Sequence, residues 1–347
     1  MRVLYGVQGT GNGHLARARA LLPALKREGI ETDVVLSGRA REDFFNMDVF
    51  SNFRCFTGLT FVTQHGRLST IKTLANNDLA GFFRDVKNLD LTDYDLLLND
   101  FEPVTAWAAK LRGLPSVGIS HQCAFDHAVP KVSGHYASRL LMKMFAPTDY
   151  RIGLHWHHFD QPILPPLIEP QTTKTVQKNK ILVYMGFEAL EDIISLLQGF
   201  SDYHFVVYAK VDQPRSFKNI HIKPLSHSGF HRDLQDCAGV IGNAGFELAS
   251  ECLHLGKKLL VKPLRGQYEQ LCNVKAMQKL QCASVMQTLD SKTVHQWLLQ
   301  IPPQAFNYPD LAPILATWIK QGDYHNIKPL MQQAWPDTHP GFSCPLS

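Results

Sequence analysis

The sequence predicts an α/β protein built from two doubly wound domains, each with a parallel sheet. Short apolar segments alternate with helical segments, which is the pattern of a parallel sheet covered by helices. The alternation stops in a segment rich in Pro, Thr and Lys and then begins again. Each half also has a glycine-rich turn directly after an apolar strand. We therefore predict an N-terminal domain at 1–160, a linker at 161–180, a C-terminal domain at 181–335 and a tail at 336–347.

Composition limits the function classes. The 347 residues are 45% hydrophobic and 19% charged, as in soluble globular proteins, and they suffice for two domains. The net charge of +4 is mildly basic and no run of Lys or Arg occurs, so we expect no nucleic-acid partner. The seven cysteines contain no CxxC pair, which predicts neither disulfides nor a cysteine zinc site.

The start of the chain bears on localisation. The first residues enter an apolar strand directly, without the apolar leader of an exported protein, and no run of eighteen apolar residues follows. We expect a cytoplasmic protein and leave open peripheral contact with the inner face of a membrane.

The first strand, at 2–7, leads into a glycine loop, a helix at 15–26 and a second strand at 34–36. Alternate glycines let a ligand approach the backbone closely, and the loop contains Gly9, Gly11, Asn12 and Gly13 before His14. An NAD-binding fingerprint would need an acidic residue at the end of the second strand, which instead ends in Ser37-Gly38. An NAD-dependent dehydrogenase and a plain tight turn therefore remain as alternatives.

Polar side chains follow several strands of the N-terminal half. Further elements are predicted as strands within 53–63, a helix at 69–87, a strand at 94–100, a helix up to 111 and a strand at 115–120. Because parallel strands present their carboxyl ends at one edge, His14, Asp100, Glu102 and His121 are expected to converge there.

Two short motifs contain residue types that often bind metals, but neither is interpreted as a metal site. Asp93-Tyr-Asp95 opens a strand instead of closing one, so it should lie at the edge opposite the ligand. The spacing in His155-Trp-His-His158 fits no zinc pattern, and a partly exposed strand end is expected there. We expect neither a metal nor a cofactor.

The C-terminal half repeats the alternation. Its predicted elements are a strand at 181–184, a turn at 185–187, a helix at 188–198, strands at 204–209 and 219–223, a helix at 227–237, strands at 240–241 and 259–263, a helix at 271–280, a strand at 283–286, and helices near 294–299, 310–321 and 327–335. The turn at 242–245 opens a helix at Glu247 and presents free N–H groups at a helix N-terminus, which suits a phosphate. Glu251 lies one turn further on the same face, and ribose or sugar hydroxyls are its expected partners.

These motifs carry a family resemblance. The stretches 242–251, 256–263 and 269–273 are similar to the donor-binding motif of the glycosyltransferase family that contains the peptidoglycan lipid-linked N-acetylglucosaminyltransferase. The loop from Gly9 to His14 resembles the N-terminal glycine loop of that family. The resemblance implies the GT-B fold, in which two Rossmann-like domains face each other across a cleft, and a reaction that requires no metal.

The resemblance also implies roles for individual residues. Glu251 matches the glutamate that holds the ribose, and Glu269-Gln270 matches a Gln-Gln pair on the donor sugar, with Glu269 replacing glutamine. The residues implied at the diphosphate or nearby in the donor site are Gly186, Phe187, Asn243, Gly245, Phe246, Glu247, Arg265 and Gly266.

The expected reaction is transfer of a sugar, with inversion, from a UDP-hexose or UDP-N-acetylhexosamine to an acceptor hydroxyl. His14 is expected as the general base, Asp100 as its orienting acid, and His121 as a substitute base. Arg265 would help to stabilise the leaving nucleoside diphosphate. A nucleotide-sugar epimerase and a non-catalytic nucleotide-sugar binding protein are the alternatives in the same fold.

A helix predicted at 132–145 bears on the acceptor. Arg139 and Lys143 are one turn apart, beside apolar side chains, so the helix suits either packing on the sheet or contact with a membrane. The acceptor itself, lipid-linked or a glycan, is left open.

Overall fold

The computed structural model describes residues 1–59, 63–64, 67–68, 78–171 and 174–335. Three predicted segments lie partly or wholly outside the described residues. They are the strands predicted within 53–63 and the helix predicted at 69–87, each in part, and the whole tail predicted at 336–347.

The N-terminal sheet is parallel in all its pairings, in the order β3-β2-β1-β6-β7-β8-β9. Its strands are β1 (Arg2–Gln8), β2 (Glu31–Ser37), β3 (Phe53–Phe56), β6 (Leu96–Asp100), β7 (Ser116–Ser120), β8 (Tyr150–Leu154) and β9 (Ile163–Leu164). Strands β4 (Thr63–Gln64) and β5 (Arg67–Leu68) form a separate antiparallel pair.

The C-terminal sheet has the order β12-β13-β11-β10-β14-β15-β16. Its strands are β10 (Gln177–Tyr184), β11 (His204–Ala209), β12 (Arg215–Phe217), β13 (Ile220–Pro224), β14 (Cys237–Asn243), β15 (Lys258–Lys262) and β16 (Ser284–Val285). All pairings are parallel except that of β12, an exposed edge strand that the sequence analysis missed because its three residues show no apolar pattern.

Helices cover both sheets. They are α1 (Asn12–Arg27), α2 (Leu79–Asn88), α3 (Pro103–Arg112), α4 (His121–Ala124), α5 (Tyr136–Phe145), α6 (Leu190–Leu197), α7 (His227–Asp236), α8 (Phe246–His254), α9 (Tyr268–Leu280), α10 (Ser291–Leu298), α11 (Leu311–Gln321) and α12 (Lys328–Ala334). The predicted class, two doubly wound α/β domains, is confirmed.

The strand order determines where the two glycine-rich turns lie. In the first sheet β1 lies between β2 and β6, and in the second sheet β10 lies between β11 and β14. At such switch points neighbouring crossovers leave on opposite faces and open a crevice at the carboxyl ends of the strands. The glycine loop after β1 and the turn after β14 both emerge at these crevices.

Strands extend into both ends of the predicted linker. Ile163 and Leu164 pair with β8, and β10 begins at Gln177. Ile163 and Leu164 are fully buried, and their burial favours their place in the N-terminal sheet.

The last helices of the predicted C-terminal domain contact the N-terminal domain. Helix α11 packs against α1 of the N-terminal domain, with Leu315 and Ile319 fully buried. The Trp335 indole N–H donates to the Ile163 carbonyl at 2.8 Å. Residues 311–335 therefore cover the N-terminal domain, because the apolar face of α11 finds its complement on α1.

The apolar helices are short. Among the described residues no helix has the length and hydropathy needed to cross a bilayer.

Candidate active site

The residues predicted as base and orienting acid meet at the edge of the first sheet. His14 lies in the first turn of α1, and Asp100 is the last residue of β6. The His14 Nδ1 atom is 2.8 Å from Asp100 Oδ1, and the imidazole keeps 14% of its side-chain surface exposed while the carboxylate is fully buried. The same Nδ1 atom is 2.6 Å from Arg17 Nη2, so both neighbours lie on this side of the ring and Nε2 is the nitrogen that can face a substrate.

Arg17 is the residue of this cluster that the sequence analysis missed. Its Nε and Nη2 donate to the two oxygens of Asp100, both at 2.8 Å, and its Nη1 donates to Glu247 Oε2 at 3.0 Å. Arg17 stands three residues after His14 and therefore faces the same side of α1. That spacing is the signal that could have identified it.

One guanidinium thus serves two buried carboxyl groups. Burial alone would raise the pKa of Asp100, but Arg17 and then His14 hold it below its ordinary value. Burial raises the pKa of Glu247 to about 8, although Arg17 opposes this shift. Because Arg17 already pairs with both oxygens of Asp100, its charge cannot fully compensate a second carboxylate. We therefore assign the proton to Glu247 at neutral pH.

A pocket lies between the two domains beside this cluster. It encloses about 630 Å³ of empty space, part of it open to solvent. The N-terminal domain contributes one wall from α1 and the segment near Phe45, and the C-terminal domain contributes β10, β11, α7 and α8. The lining residues include Asn12, Gly13, Arg19, Tyr184, Phe230, Glu247 and Glu251.

Glu251 lines this pocket. It is 3.4 Å from His231 Nε2 and 3.4 Å from the Gln171 amide nitrogen. Burial, then the nearby Glu247 and Glu169, raise the pKa of Glu251 well above its ordinary value. Burial, then His227, lower the pKa of His231 to about 4, so this imidazole is neutral.

The turn before α8 has the geometry of an anion site. Gly245 is the N-cap residue of α8, and no side chain caps this N-terminus. A Cβ added at Gly245 would meet nothing within 4 Å, so the approach to the helix N-terminus is open. Asn243 fixes the turn, since its amide donates to the Lys262 carbonyl at 3.2 Å. Phe246 is buried and stacks on His121.

The glycine loop closes onto the opposite domain. A Cβ at Gly13 would lie 3.2 Å from that of Glu247, so the missing side chain allows α1 to approach α8. Asn12 donates to the Tyr184 hydroxyl at 3.3 Å. The Gly9 N–H donates to the Ser37 carbonyl at 2.6 Å, and a Cβ at Gly11 would meet nothing within 4 Å.

The remaining predicted donor residues are distributed around the cleft. Glu269 accepts from the Gln122 amide at 3.0 Å, across the domain boundary. Gln270 accepts from the Leu264 N–H at 2.8 Å and thereby holds the turn that contains Arg265, which is exposed, and Gly266, with φ 78°. Gly186 lies in the turn after β10, and Phe187 beside it is exposed.

Two predicted site residues have other roles. His121 is fully buried, its ring nitrogens contact the Leu154 carbonyl at 2.9 Å and Asn273 Oδ1 at 2.7 Å, and burial lowers its pKa. It belongs to the domain interface and cannot reach an acceptor. Glu102 is also fully buried, where it caps α3 by accepting from two backbone N–H groups. Both residues do follow the carboxyl end of a strand, as predicted, but neither side chain faces the cleft.

The histidine cluster after β8 is likewise buried and not partly exposed as expected. His155, Trp156 and His158 have almost no exposed surface. The Trp156 indole N–H donates to the Ser250 hydroxyl of α8 at 2.9 Å. The segment therefore packs the domains together. The other rejected motif behaves as predicted: Asp95 accepts from the Arg2 N–H, at the edge opposite the ligand loops.

Comparison with known families decides the class. The pattern of glycosyl transferase family 1 matches residues 1–302, which is most of the chain. The chain belongs to this family. It is a glycosyltransferase, and the cleft described above is its candidate active site.

Solved glycosyltransferases share the fold. The chain resembles the glycotransferase of kitacinnamycin (13% identity, 96% of this chain and 97% of that one, TM-score 0.59). It also resembles the glycosyltransferase VinC in complex with dTDP, at 13% identity over 94% of this chain and 96% of that one, with a TM-score of 0.55. A third similar structure is MurG of Acinetobacter baumannii, at 14% identity over 92% of this chain and 99% of that one, with a TM-score of 0.51. At these identities the likeness supports the GT-B fold alone. A search of curated protein sequences finds no significant match.

Proposed function

We propose that this glycosyltransferase moves a sugar, with inversion, from a nucleoside diphosphate sugar to an acceptor hydroxyl. The observation that carries the proposal is the position of the His14–Asp100 pair next to a pocket that Gly13 of α1 lines on one side and Glu247 and Glu251 of α8 line on the other. A base and a diphosphate site that lie next to the same pocket suit direct displacement.

The donor occupies the pocket in this proposal. The ribose hydroxyls bind Glu251, and the diphosphate lies at the N-terminus of α8, where the helix dipole favours negative charge. Glu247 Oε1 is buried and has no hydrogen-bond partner among the described residues. When protonated, it can donate to a phosphate oxygen. UDP-hexose and UDP-N-acetylhexosamine are the donors we favour, from the resemblance of the 242–273 region.

The chemistry is a single displacement. The acceptor oxygen attacks the anomeric carbon, its proton passes to His14 Nε2, and the bond from the anomeric carbon to the diphosphate oxygen breaks. Asp100 holds the Nδ1 side of His14 and stabilises the imidazolium as it forms. The leaving diphosphate receives the dipole of α8 and the charge of Arg265, so no step of the transfer is assigned to a metal.

Substitution of His14 by alanine tests the base. We expect turnover, measured as nucleoside diphosphate release, to fall by about 10²–10⁴-fold, because proton transfer typically contributes that much. Donor binding, measured by calorimetry with UDP and dTDP, should stay within a few-fold of the wild type. His204→Ala, at an exposed strand position, is the matched control. Turnover within a few-fold of the wild type in His14→Ala would exclude this base.

We further propose that the acceptor is lipid-linked and that α5 contacts the membrane. Four large apolar side chains of α5 are exposed: Tyr136, Leu140, Leu141 and Met144. Arg139 and Lys143 lie on the same helix. The helix is close to the base, since Phe145 stacks on Phe101 at 4.8 Å and Phe101 stacks on His14 at 6.3 Å. An apolar and positively charged surface close to His14 suits an acceptor that is held in an anionic bilayer.

A paired substitution tests this surface. We expect Leu140→Glu/Leu141→Glu to abolish sedimentation with vesicles that contain anionic lipid, since two charges replace the apolar contact. Ile301→Glu, at an exposed apolar position of the other domain, should sediment like the wild type. Equal sedimentation of all three proteins, or none by the wild type, would rule out docking through α5.

A further inference from the structure

A cluster of metal-binding residue types lies where the linker meets α7. Glu169 comes from the linker, and His227 and His231 come from the first two turns of α7. One ligand atom from each of the three lies within 4.8 Å of the others. The catalytic pair and the diphosphate turn use none of these residues.

The two histidines are arranged to share a ligand. Positions i and i+4 lie on one face of a helix, and the centroids of the two rings are 4.3 Å apart. The Nε2 atom of His227 is 2.9 Å from Glu169 Oε1. In a tetrahedral zinc site, bond lengths of about 2.0–2.2 Å place ligand atoms roughly 3.3 Å apart. The His227–Glu169 pair is therefore already near this spacing, and the ligand atom of His231, within 4.8 Å of the others, would have to move by at most about 1.5 Å.

The carboxyl group of Glu169 has imidazoles as its nearest partners. Within the described ranges, its ion-pair partner is His227, and His231 lies beside Glu251. The guanidinium of Arg19 acts on Glu169 only from beyond ion-pair distance. A divalent ion would bring the carboxyl group and both imidazoles onto one centre.

The residue types select among metals. Two imidazoles and one carboxylate suit Zn²⁺, while Mg²⁺ and Ca²⁺ favour sites made of oxygen ligands. The fourth position is left for water, because Glu251, 3.4 Å from His231 Nε2, is the residue proposed to bind the donor ribose.

We propose that Glu169, His227 and His231 bind one Zn²⁺ ion, which fastens the linker to α7 at the rim of the donor pocket. The ion has a structural role and takes no step in sugar transfer. No short spacing in the sequence indicates this site, because Glu169 is 58 positions from His227.

Metal titration tests the proposal. Protein freed of metal by a chelator is titrated with Zn²⁺ in a calorimeter and with Co²⁺ in a spectrometer. We expect one ion per chain, and for Co²⁺ the intense visible bands of a four-coordinate site. His227→Ala/His231→Ala should weaken Zn²⁺ binding at least tenfold, and Glu169→Gln should weaken it less.

A second pair of histidines supplies the matched control. His204→Ala/His221→Ala removes an exposed pair on the C-terminal sheet, with ring centroids 6.4 Å apart, and should bind Zn²⁺ like the wild type. Circular dichroism of each metal-free variant checks folding. Because Zn²⁺ binds the folded state, it should raise the melting temperature of the wild type and not of His227→Ala/His231→Ala. Absence of binding by the wild type, or unchanged binding by His227→Ala/His231→Ala, would overturn the site. These readouts do not depend on sugar transfer.

Discussion

At the scale of single residues, the active site depends on how charges are shared. Arg17 joins Asp100 and Glu247, which come from different domains, so the domain contact and the position of His14, the proposed base, depend on the same guanidinium. Removal of such a buried partner leaves uncompensated carboxyl groups, which typically costs about 3–5 kcal/mol. His14 is therefore oriented by both domains.

Glu247→Gln tests the proton assigned to Glu247. The ordinary pKa of 4.5 rises to about 8 in the folded protein, so the stability that this proton contributes is complete below pH 4.5 and is lost as the pH rises through about 8. Urea unfolding should show the wild type losing stability relative to Glu247→Gln between pH 5 and pH 8.5, by about 1.4 kcal/mol for each unit of the shift.

The control for this prediction is Glu191→Gln, an exposed position in the first turn of α6. Its stability should follow the wild type across the same pH range. A constant difference between wild type and Glu247→Gln at every pH would mean that Glu247 keeps its ordinary pKa.

The sequence predicted part of this site. His14 and Asp100 follow strands of one parallel sheet, and that topology alone brings them together. His121 and Glu102 follow strands as well, yet one packs in the domain interface and the other caps a helix. Side-chain direction separates the two outcomes, and a strand-end position does not reveal it.

At the scale of elements, the contact between α1 and α8 shapes the pocket. Gly13 of α1 lies against Glu247 of α8, and both residues line the pocket. The glycine loop was predicted to let a ligand approach the backbone. At Gly13 the structure shows that the element which approaches is the opposite helix.

Gly13→Leu should widen this contact. A Cβ at Gly13 would already be tight against Glu247, at 3.2 Å, and the larger leucine side chain should push α1 away from α8 and separate the pocket walls. We expect the affinity for UDP or dTDP, measured by calorimetry, to fall at least tenfold. Gly199→Leu is the matched control, because a Cβ at this exposed glycine meets nothing within 4 Å. Equal affinity in the two variants would show that the α1–α8 contact does not set the pocket width.

Element bounds were predictable where the apolar pattern is strong. Strand β6, with all five residues buried, and helix α7 fall close to their predicted positions. Strand β12 is exposed throughout and shows little of the periodicity on which a sequence prediction depends. Helix α5 was predicted from 132 but begins at Tyr136.

At the scale of the whole molecule, the two domains share one large core. A single apolar cluster contains Val3 and Leu21 of the first domain together with Phe246 and Val261 of the second. Helix α11 adds Leu315 and Ile319 to this cluster after the chain has left the second domain. We expect the domains to stabilise each other.

Leu315→Ala tests the role of α11. Removing this fully buried side chain should cost about 2–5 kcal/mol. Since α11 covers α1, amide hydrogen exchange should accelerate first in α1 and β1, with β11 less affected. Leu298→Ala, buried in the separate core of the C-terminal sheet, should show the opposite distribution. The same exchange pattern in both variants would mean that α11 has no preference for the N-terminal domain.

The two-domain architecture was predictable from one sequence because the strands and helices of each sheet follow one another along the chain. The contacts between the domains were not predictable in this way. The stack of His121 on Phe246 and the hydrogen bond from Trp156 to Ser250 join residues more than ninety positions apart. No periodicity within a segment specifies such pairs, and neither could the return of α11 be inferred from its own amphipathic pattern.

That return limits how the cleft can move. The chain passes between the domains at 165–176 and passes back before α11 begins at Leu311. A body attached at two points can swing about the line that joins them, whereas a body attached at one point can also twist. Opening of the cleft should therefore be a rotation about one axis. Each closure would then return His14 to the same position relative to the proposed donor pocket.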